Sequence, residues 1–200
     1  MRVETLCAAS GQPLLGPLLL RPELFGDTRG FLFESWNQRH WQQLLAKQGQ
    51  LADRFVQDNH SRSRRGVLRG LHYQLPPHAQ AKLVRCVRGE IFDVGVDLRP
   101  QSPTYRQWVG VYLSDQNHCQ LWLPQGFAHG FLTLSEQAEV LYKASDFWHR
   151  ESERSIRWSD PQLQIAWPLQ GLEGQDPLVS DKDACAPALA EAARALEVFV

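Results

Sequence analysis

The chain has 200 residues, of which 43 % are hydrophobic and 22 % charged, and its formal net charge is -1. That size and balance describe one packed domain, and the near-neutral charge excludes the broad basic field of a nucleic-acid binder or a polybasic membrane-surface protein. Cys7, Cys86, Cys119 and Cys185 are far apart and make no C-x-x-C pair, which argues against a zinc knuckle or a disulfide framework and fits reduced thiols in a soluble, cytoplasmic protein.

In chain order, Leu14-Leu15-Gly16-Pro17-Leu18-Leu19-Leu20 is apolar but too short and broken to span a bilayer, and it lacks the order of a signal peptide. Residues 1–24 are read as an extended N-terminal segment, 25–183 as the core carrying the site, and 184–200 as a C-terminal helix. Gly26-Asp-Thr-Arg-Gly30-Phe-Leu-Phe-Glu34 begins with turn formers and continues by alternation, a bend into a strand. Trp36 to Gln48 predicts a helix, with Trp41, Leu44 and Leu45 as a partial apolar stripe and Gly49 as the stop. Phe55-Val-Gln57-Asp-Asn59-His60-Ser61 ends a strand in amides and hydroxyls, either turn caps or a row of donors and acceptors for a substrate. Arg62, Arg64 and Arg65 beside it read as a solvated loop. Gly66-Val-Leu-Arg-Gly-Leu-His-Tyr-Gln74, with Lys82 eight residues on, reads as two strands and a short loop.

Leu83–Val87 and Ile91–Leu98, joined by Arg88-Gly89-Glu90, predict a β-hairpin. In its second strand Phe92, Val94, Val96 and Leu98 share one face and Ile91, Asp93, Gly95 and Asp97 the other. Further strands are predicted at Trp108–Leu113, Cys119–Leu123, His129–Leu134 and Glu139–Ala144. Ser180-Asp-Lys-Asp183 looks like an N-cap cluster ahead of a last helix, Ala188 to Val198, with Pro187 in its first turn. Many short strands with few helices point to a mainly β, antiparallel sandwich or barrel.

The chemistry concentrates in Arg69, His72 and Lys82. An arginine fork suits a phosphate, a histidine is the usual base near neutral pH, and a lysine aimed at a carbonyl oxygen answers the charge of an enolate. A buried, hydrogen-bonded structural histidine is the competing reading of His72. Pro124-x-Gly126-x-x-His129 resembles the second motif of cupin barrels, many of which bind a metal. The first metal motif fails here, because His72 is followed by Tyr73 and Gln74 with no carboxylate before Lys82. Two histidines beside an ammonium make a poor metal site, so none is expected. On local pattern alone Tyr142 reads as core filler.

Taken together and in order, these segments resemble the dTDP-4-dehydrorhamnose 3,5-epimerase family. The resemblance runs from about Phe25 to Leu189 and includes Phe25-Gly-Asp-x-Arg-Gly30-Phe31, Gln57-Asp-Asn-His-Ser61, Gly66 to Gln74, Lys82-Leu-Val-Arg85, Gly126-Phe-Ala-His-Gly-Phe131, Tyr142-Lys143 and Ser180-x-Lys-Asp183. It implies a cupin-like jelly roll, a homodimer and no cofactor. The implied reaction inverts C3 and C5 of a thymidine-diphosphate 4-keto-6-deoxy sugar on the way to dTDP-L-rhamnose; relatives on the same scaffold invert one carbon alone. By the same resemblance His72 is the base, Asp183 its orienting carboxylate, Tyr142 the acid on the opposite face and Lys82 the partner of the C4 oxygen. Arg29, Glu34, Gln57, Asn59, Arg69, His129, Glu153 and Lys182 match substrate-contacting positions, with the Arg29 segment crossing to the partner subunit. The segment Gln170 to Pro177 is longer than the family pattern.

Overall fold

The computed structural model describes residues 1–51, 54–172, 174–195 and 197–199. One antiparallel sheet carries, side by side, β1 (Arg2–Cys7), β2 (Pro13–Arg21), β10 (Gln120–Leu123), β7 (Lys82–Arg88), β12 (Gln137–Ala144) and β5 (Gln57–Arg64). A second carries β13 (Glu153–Ser155), β6 (Leu68–Gln74), β11 (Phe127–Thr133), β8 (Glu90–Asp97) and β9 (Trp108–Ser114). β3 (Phe25–Asp27) and β4 (Gly30–Leu32) form a small exposed hairpin. The mainly β, antiparallel architecture expected from the short strands is the one observed.

Three apolar layers hold the two sheets. Between them Val84, Leu121 and Val140 meet Ile91, Val111, Leu113 and Phe127. Outside the six-stranded sheet, Leu18, Leu20, Leu83 and Trp122 are covered by α1 (Gln38–Lys47), whose Trp41 and Leu45 are fully buried. Outside the five-stranded sheet, Leu68, Leu71, Phe92, Val94 and Leu132 are covered by Leu163, Trp167, Leu172, Leu189 and Ala192. From Ile91 onward strand β8 is therefore buried on both faces, which explains its apolar character apart from Gly95 and two aspartates.

Four expectations need correction. The predicted hairpin does not form: β7 pairs with β10 and β12, whereas β8 pairs with β9 and β11 in the other sheet. The chain changes sheets at Gly89, which has a positive φ and no room for a side chain, since a Cβ there would meet the Gln137 carbonyl at 2.1 Å. Residues 1–24 do not stand apart from the core, because β1 and β2 belong to the six-stranded sheet, with Leu18 to Leu20 paired to Trp122 to Gln120. Arg62 and Arg64 lie on β5, exposed on a strand rather than in a loop.

The fourth concerns helix lengths. Asn37 caps α1 by accepting from the Arg39 and His40 amides, so the helix begins after Trp36. The C-terminal helix α3 spans Leu189–Arg194 and ends early. Beyond it the Tyr73 hydroxyl donates to the Glu197 carbonyl at 2.6 Å, and Arg154 pairs with the Glu197 carboxylate at 3.1 Å. Those tertiary bonds draw the tail out of the helical path. Glu173 in the long 170–177 segment, and Leu196 and Val200 in the expected last helix, lie outside the described residues.

Leu45 has no exposed surface and anchors α1 to the six-stranded sheet. Leu45→Ala is expected to lower the unfolding free energy by about 2–5 kcal/mol, read from urea or guanidinium transitions.

Candidate active site

Between the sheets lies a cavity of about 290 Å³. Its walls carry Gln57, Asn59 and Ser61 of β5, Arg69, His72 and Gln74 of β6, Lys82 of β7, His129 of β11, Tyr142 of β12 and Glu153 of β13. Trp148 sits at its edge, more than half exposed.

Strict alternation along β6 would send Arg69 and His72 to opposite faces. The strand instead carries one extra residue relative to β11: His129 pairs with His72, and Phe131 with Arg69. This β-bulge turns both cationic-type side chains into the cavity. It depends on close backbone approach at Gly70, where a Cβ would lie 2.5 Å from the Gly130 Cα. Gly70 also has φ +128, a conformation side chains resist.

His72 Nε2 lies 2.6 Å from Asp183 Oδ1. A carboxylate can only accept, so Nε2 carries the proton and Nδ1 keeps a lone pair. The histidine is 31 % exposed and the aspartate 4 %. Asp183 belongs to α2 (Asp181–Ala184), is capped by the Ser180 hydroxyl and accepts from the Gly70 amide. Burial pushes its carboxyl up, but the His72 bond, the His72 charge, the Gly70 amide and Ser180 together hold it below its ordinary value.

Lys82 reaches across from the other sheet, its Nζ 3.3 Å from the His72 carbonyl and 6.0 Å from the centre of the Tyr142 ring. Burial lowers its ammonium to about 8, opposed by the charges of Asp93 and Glu153 and slightly reinforced by Lys182. The Tyr142 phenol is raised by burial, with Arg69 opposing and Glu153 adding to the shift. It therefore stays protonated at neutral pH.

The remaining expected residues divide into two groups. Arg69 donates to Ser63 Oγ at 3.0 Å, Gln57 donates to Asn59 Oδ1 at 3.0 Å, and the Gln57 side-chain Oε1 accepts from the Trp148 backbone amide at 2.9 Å. Glu153 pairs with Lys182 at 2.6 Å at the cavity's edge. Burial raises the Glu153 carboxyl, yet the Lys182 bond and charge, the Trp148 bond and His72 hold it below its ordinary value. Arg29 and Glu34 do not join the cavity of their own chain. Arg29 is 87 % exposed on the β3–β4 hairpin and paired with Asp27, and Glu34 is bonded to Asn37 and His40.

Asp93, missed as a site residue, stands behind His129 with its Oδ1 2.7 Å from His129 Nε2. Its signal was available: an aspartate in an otherwise apolar strand needs a cationic or hydrogen-bonding partner once buried. Among the described residues no group of three or more His, Cys, Asp or Glu is arranged to hold a metal ion.

Gly70→Ala is expected to destabilise the fold by more than about 1 kcal/mol in denaturant unfolding, because an alanine resists this φ and its Cβ collides with Gly130. An unchanged transition midpoint would show that β6 can hold its bulge another way.

The dTDP-4-dehydrorhamnose 3,5-epimerase family profile matches residues 12–191. The chain is 57 % identical over 175 residues to the dTDP-4-dehydrorhamnose 3,5-epimerase of Pseudomonas aeruginosa, covering 88 % of this chain and 92 % of that one. It is 54 % identical over 175 residues to that of Salmonella typhimurium, covering 88 % and 91 %. Among solved structures, dTDP-6-deoxy-D-glucose-3,5-epimerase RmlC from Legionella pneumophila, in complex with dTDP-4-keto-L-rhamnose, superposes with a TM-score of 0.87 at 45 % identity, covering 100 % of this chain and 99 % of that one. With this identity along nearly the whole chain, and with a histidine–aspartate pair, a lysine and a tyrosine gathered in one cavity, the chain belongs to the dTDP-4-dehydrorhamnose 3,5-epimerase family of isomerases.

Proposed function

We propose that the chain converts dTDP-4-dehydro-6-deoxy-D-glucose to dTDP-4-dehydro-L-rhamnose, inverting C3 and C5 without a cofactor, as a cytoplasmic step of dTDP-L-rhamnose formation. The observation that carries this reading is the placement of His72 and Tyr142 on different sheets across one cavity, with the Lys82 ammonium reaching between them. Four free thiols are in keeping with a reducing compartment.

Both inverted carbons adjoin the C4 ketone, so their protons are acidified. His72 Nδ1 takes the proton, and the C–H electron pair moves into an enolate whose negative charge gathers on the C4 oxygen. Lys82, itself almost fully buried, stabilises that oxygen. Asp183 fixes the tautomer of His72 and stabilises the imidazolium that forms. Tyr142 returns a proton from the opposite face, and the electron pair closes the new C–H bond. Each inversion leaves an imidazolium and a phenolate; His72 then loses its proton to water and Tyr142 regains one.

Arg69, His129, Gln57, Asn59, Glu153 and Lys182 are assigned to holding the sugar nucleotide, the cationic groups toward its phosphates and hydroxyls. Phe147 or Trp148, both exposed near the mouth, offers a face for thymine. Arg29 and Glu34 are assigned to the cavity of a second protomer in a homodimer. Exposed Phe25, Phe31 and Leu32 on the β3–β4 hairpin support that assignment, since they form an apolar surface that a partner would cover.

The test is proton NMR of dTDP-4-keto-6-deoxyglucose in D2O with purified protein and a chelator. Deuterium at both C3 and C5 is the expected result. Exchange at a single carbon would make the chain a mono-epimerase, and no exchange would overturn the substrate. His72→Ala is expected to reduce turnover by at least about 100-fold; full turnover would remove the base assignment. Because Lys82 acts as an ammonium whose value is lowered to about 8, kcat is expected to decline on the alkaline side as pH rises through that value.

A further inference from the structure

Across the cavity wall formed by β6 and β11, His72 and His129 are directly paired in register. Each ring has its own buried carboxylate: Asp183 for the first, Asp93 for the second. The second pair is the more deeply enclosed, with the His129 side chain 6 % exposed and Asp93 at 0 %. Asp93 gives one oxygen to His129, while its other oxygen, Oδ2, has no hydrogen-bond partner among the described residues. A carboxylate left half satisfied in an apolar strand costs stability, and an apolar side chain of similar size would serve packing better. Its surroundings therefore point to a task other than packing.

We propose that Asp93 is a positioning residue of the epimerisation: by accepting the Nε2 proton of His129 it holds that ring against the cavity wall with Nδ1 left for substrate. This rests on the 3,5-epimerase reading above. The charge of Asp93 also bears on Lys82. Glu153 of β13 and Asp93 of β8 favour its ammonium, Lys182 of α2 disfavours it, and Tyr142, His72 and His129 line the same space. Glu153 is already engaged by Lys182 at 2.6 Å. Asp93, the larger of the two favourable charges on Lys82, has no such cationic lysine or arginine partner among the described residues. The pairing of His129 with Asp93 also sets its donor pattern. With Nε2 held as donor, a neutral His129 presents an acceptor at Nδ1, suited to a sugar hydroxyl.

Asp93→Asn tests this, assayed for kcat, KM and deuterium exchange across pH. The variant is expected to fold with unfolding behaviour close to the parent. Its kcat should fall by about 10- to 100-fold, the scale seen when a carboxylate behind a functional histidine is removed. Its KM should change by less than about threefold, the pattern of a loss felt in the transition state. Its alkaline limb in kcat should move to lower pH, a shift that a merely structural role would not produce. Wild-type exchange at C3 and C5 with an unaltered kcat and alkaline limb in D93N would overturn this inference alone. Wild-type protein that exchanges neither proton would overturn the epimerase reading and this inference with it. Should D93N fail to fold, 15N NMR of histidine-labelled wild-type protein decides, with His129 assigned by its loss in His129→Gln. The Nε2–H tautomer is the expected state, and the Nδ1–H tautomer would overturn the proposal.

Discussion

The ammonium of Lys82 lies where two sheets face each other, with its side chain all but removed from water, and its charge has to be answered from both sides. Its own strand, β7, offers only apolar neighbours at the buried positions Leu83 and Val84. The answer comes instead from the five-stranded sheet, through the carbonyl of His72 and the carboxylates of Asp93 and Glu153. A buried charge stripped of its partners costs several kcal/mol. At this point the sheets face each other across polar groups, beside the apolar layer that joins them elsewhere. The cavity lies at this point, with His72 on one wall and Tyr142 on the other.

A sandwich whose inner space is partly polar gains from apolar cohesion beyond the layer between its sheets. Here two outer layers add it. Trp41 of α1 packs edge-on against Trp122 with ring centres 4.9 Å apart, and the C-terminal segment lays Trp167, Leu172 and Leu189 over the back of the other sheet. The strands carrying His72 and His129 are thus held from behind, and their front faces are free to carry groups that would weaken an ordinary core. Rigid backing is also what lets small polar groups keep fixed directions.

How much of this was legible depended on the distance over which a residue's role is decided. The strands β9 to β12 were visible because alternation is local, and His72, Arg69 and Lys82 stood out because they are close in sequence. The pairing of β7 and β8 was misjudged for the same reason. Two alternating runs around a glycine look like a hairpin, whereas β7 takes its partners from strands 35 or more residues away. The bulge at Gly70 left no mark in the pattern of polar and apolar residues, although it alone lets Arg69 and His72 share a face. Asp183 stands 111 residues from His72, and no local spacing links them; family resemblance was needed to name it. Asp93 was placed on the correct strand and among its less apolar positions, but its significance appeared only when both faces of β8 proved to be buried.

The long segment before Asp183 ends on a firm mooring. Leu178 is stitched to the start of β6 by two backbone bonds, its amide to the Gly66 carbonyl at 2.8 Å and its carbonyl to the Leu68 amide at 2.9 Å. Ser180 then caps the turn that carries the aspartate. Between Leu172, packed over the sheet, and Leu178, bonded to β6, the chain is tied down before it reaches the dyad. That mooring makes the span between Leu172 and Leu178 a place to splice a tag or reporter without retuning the chemistry a few residues downstream.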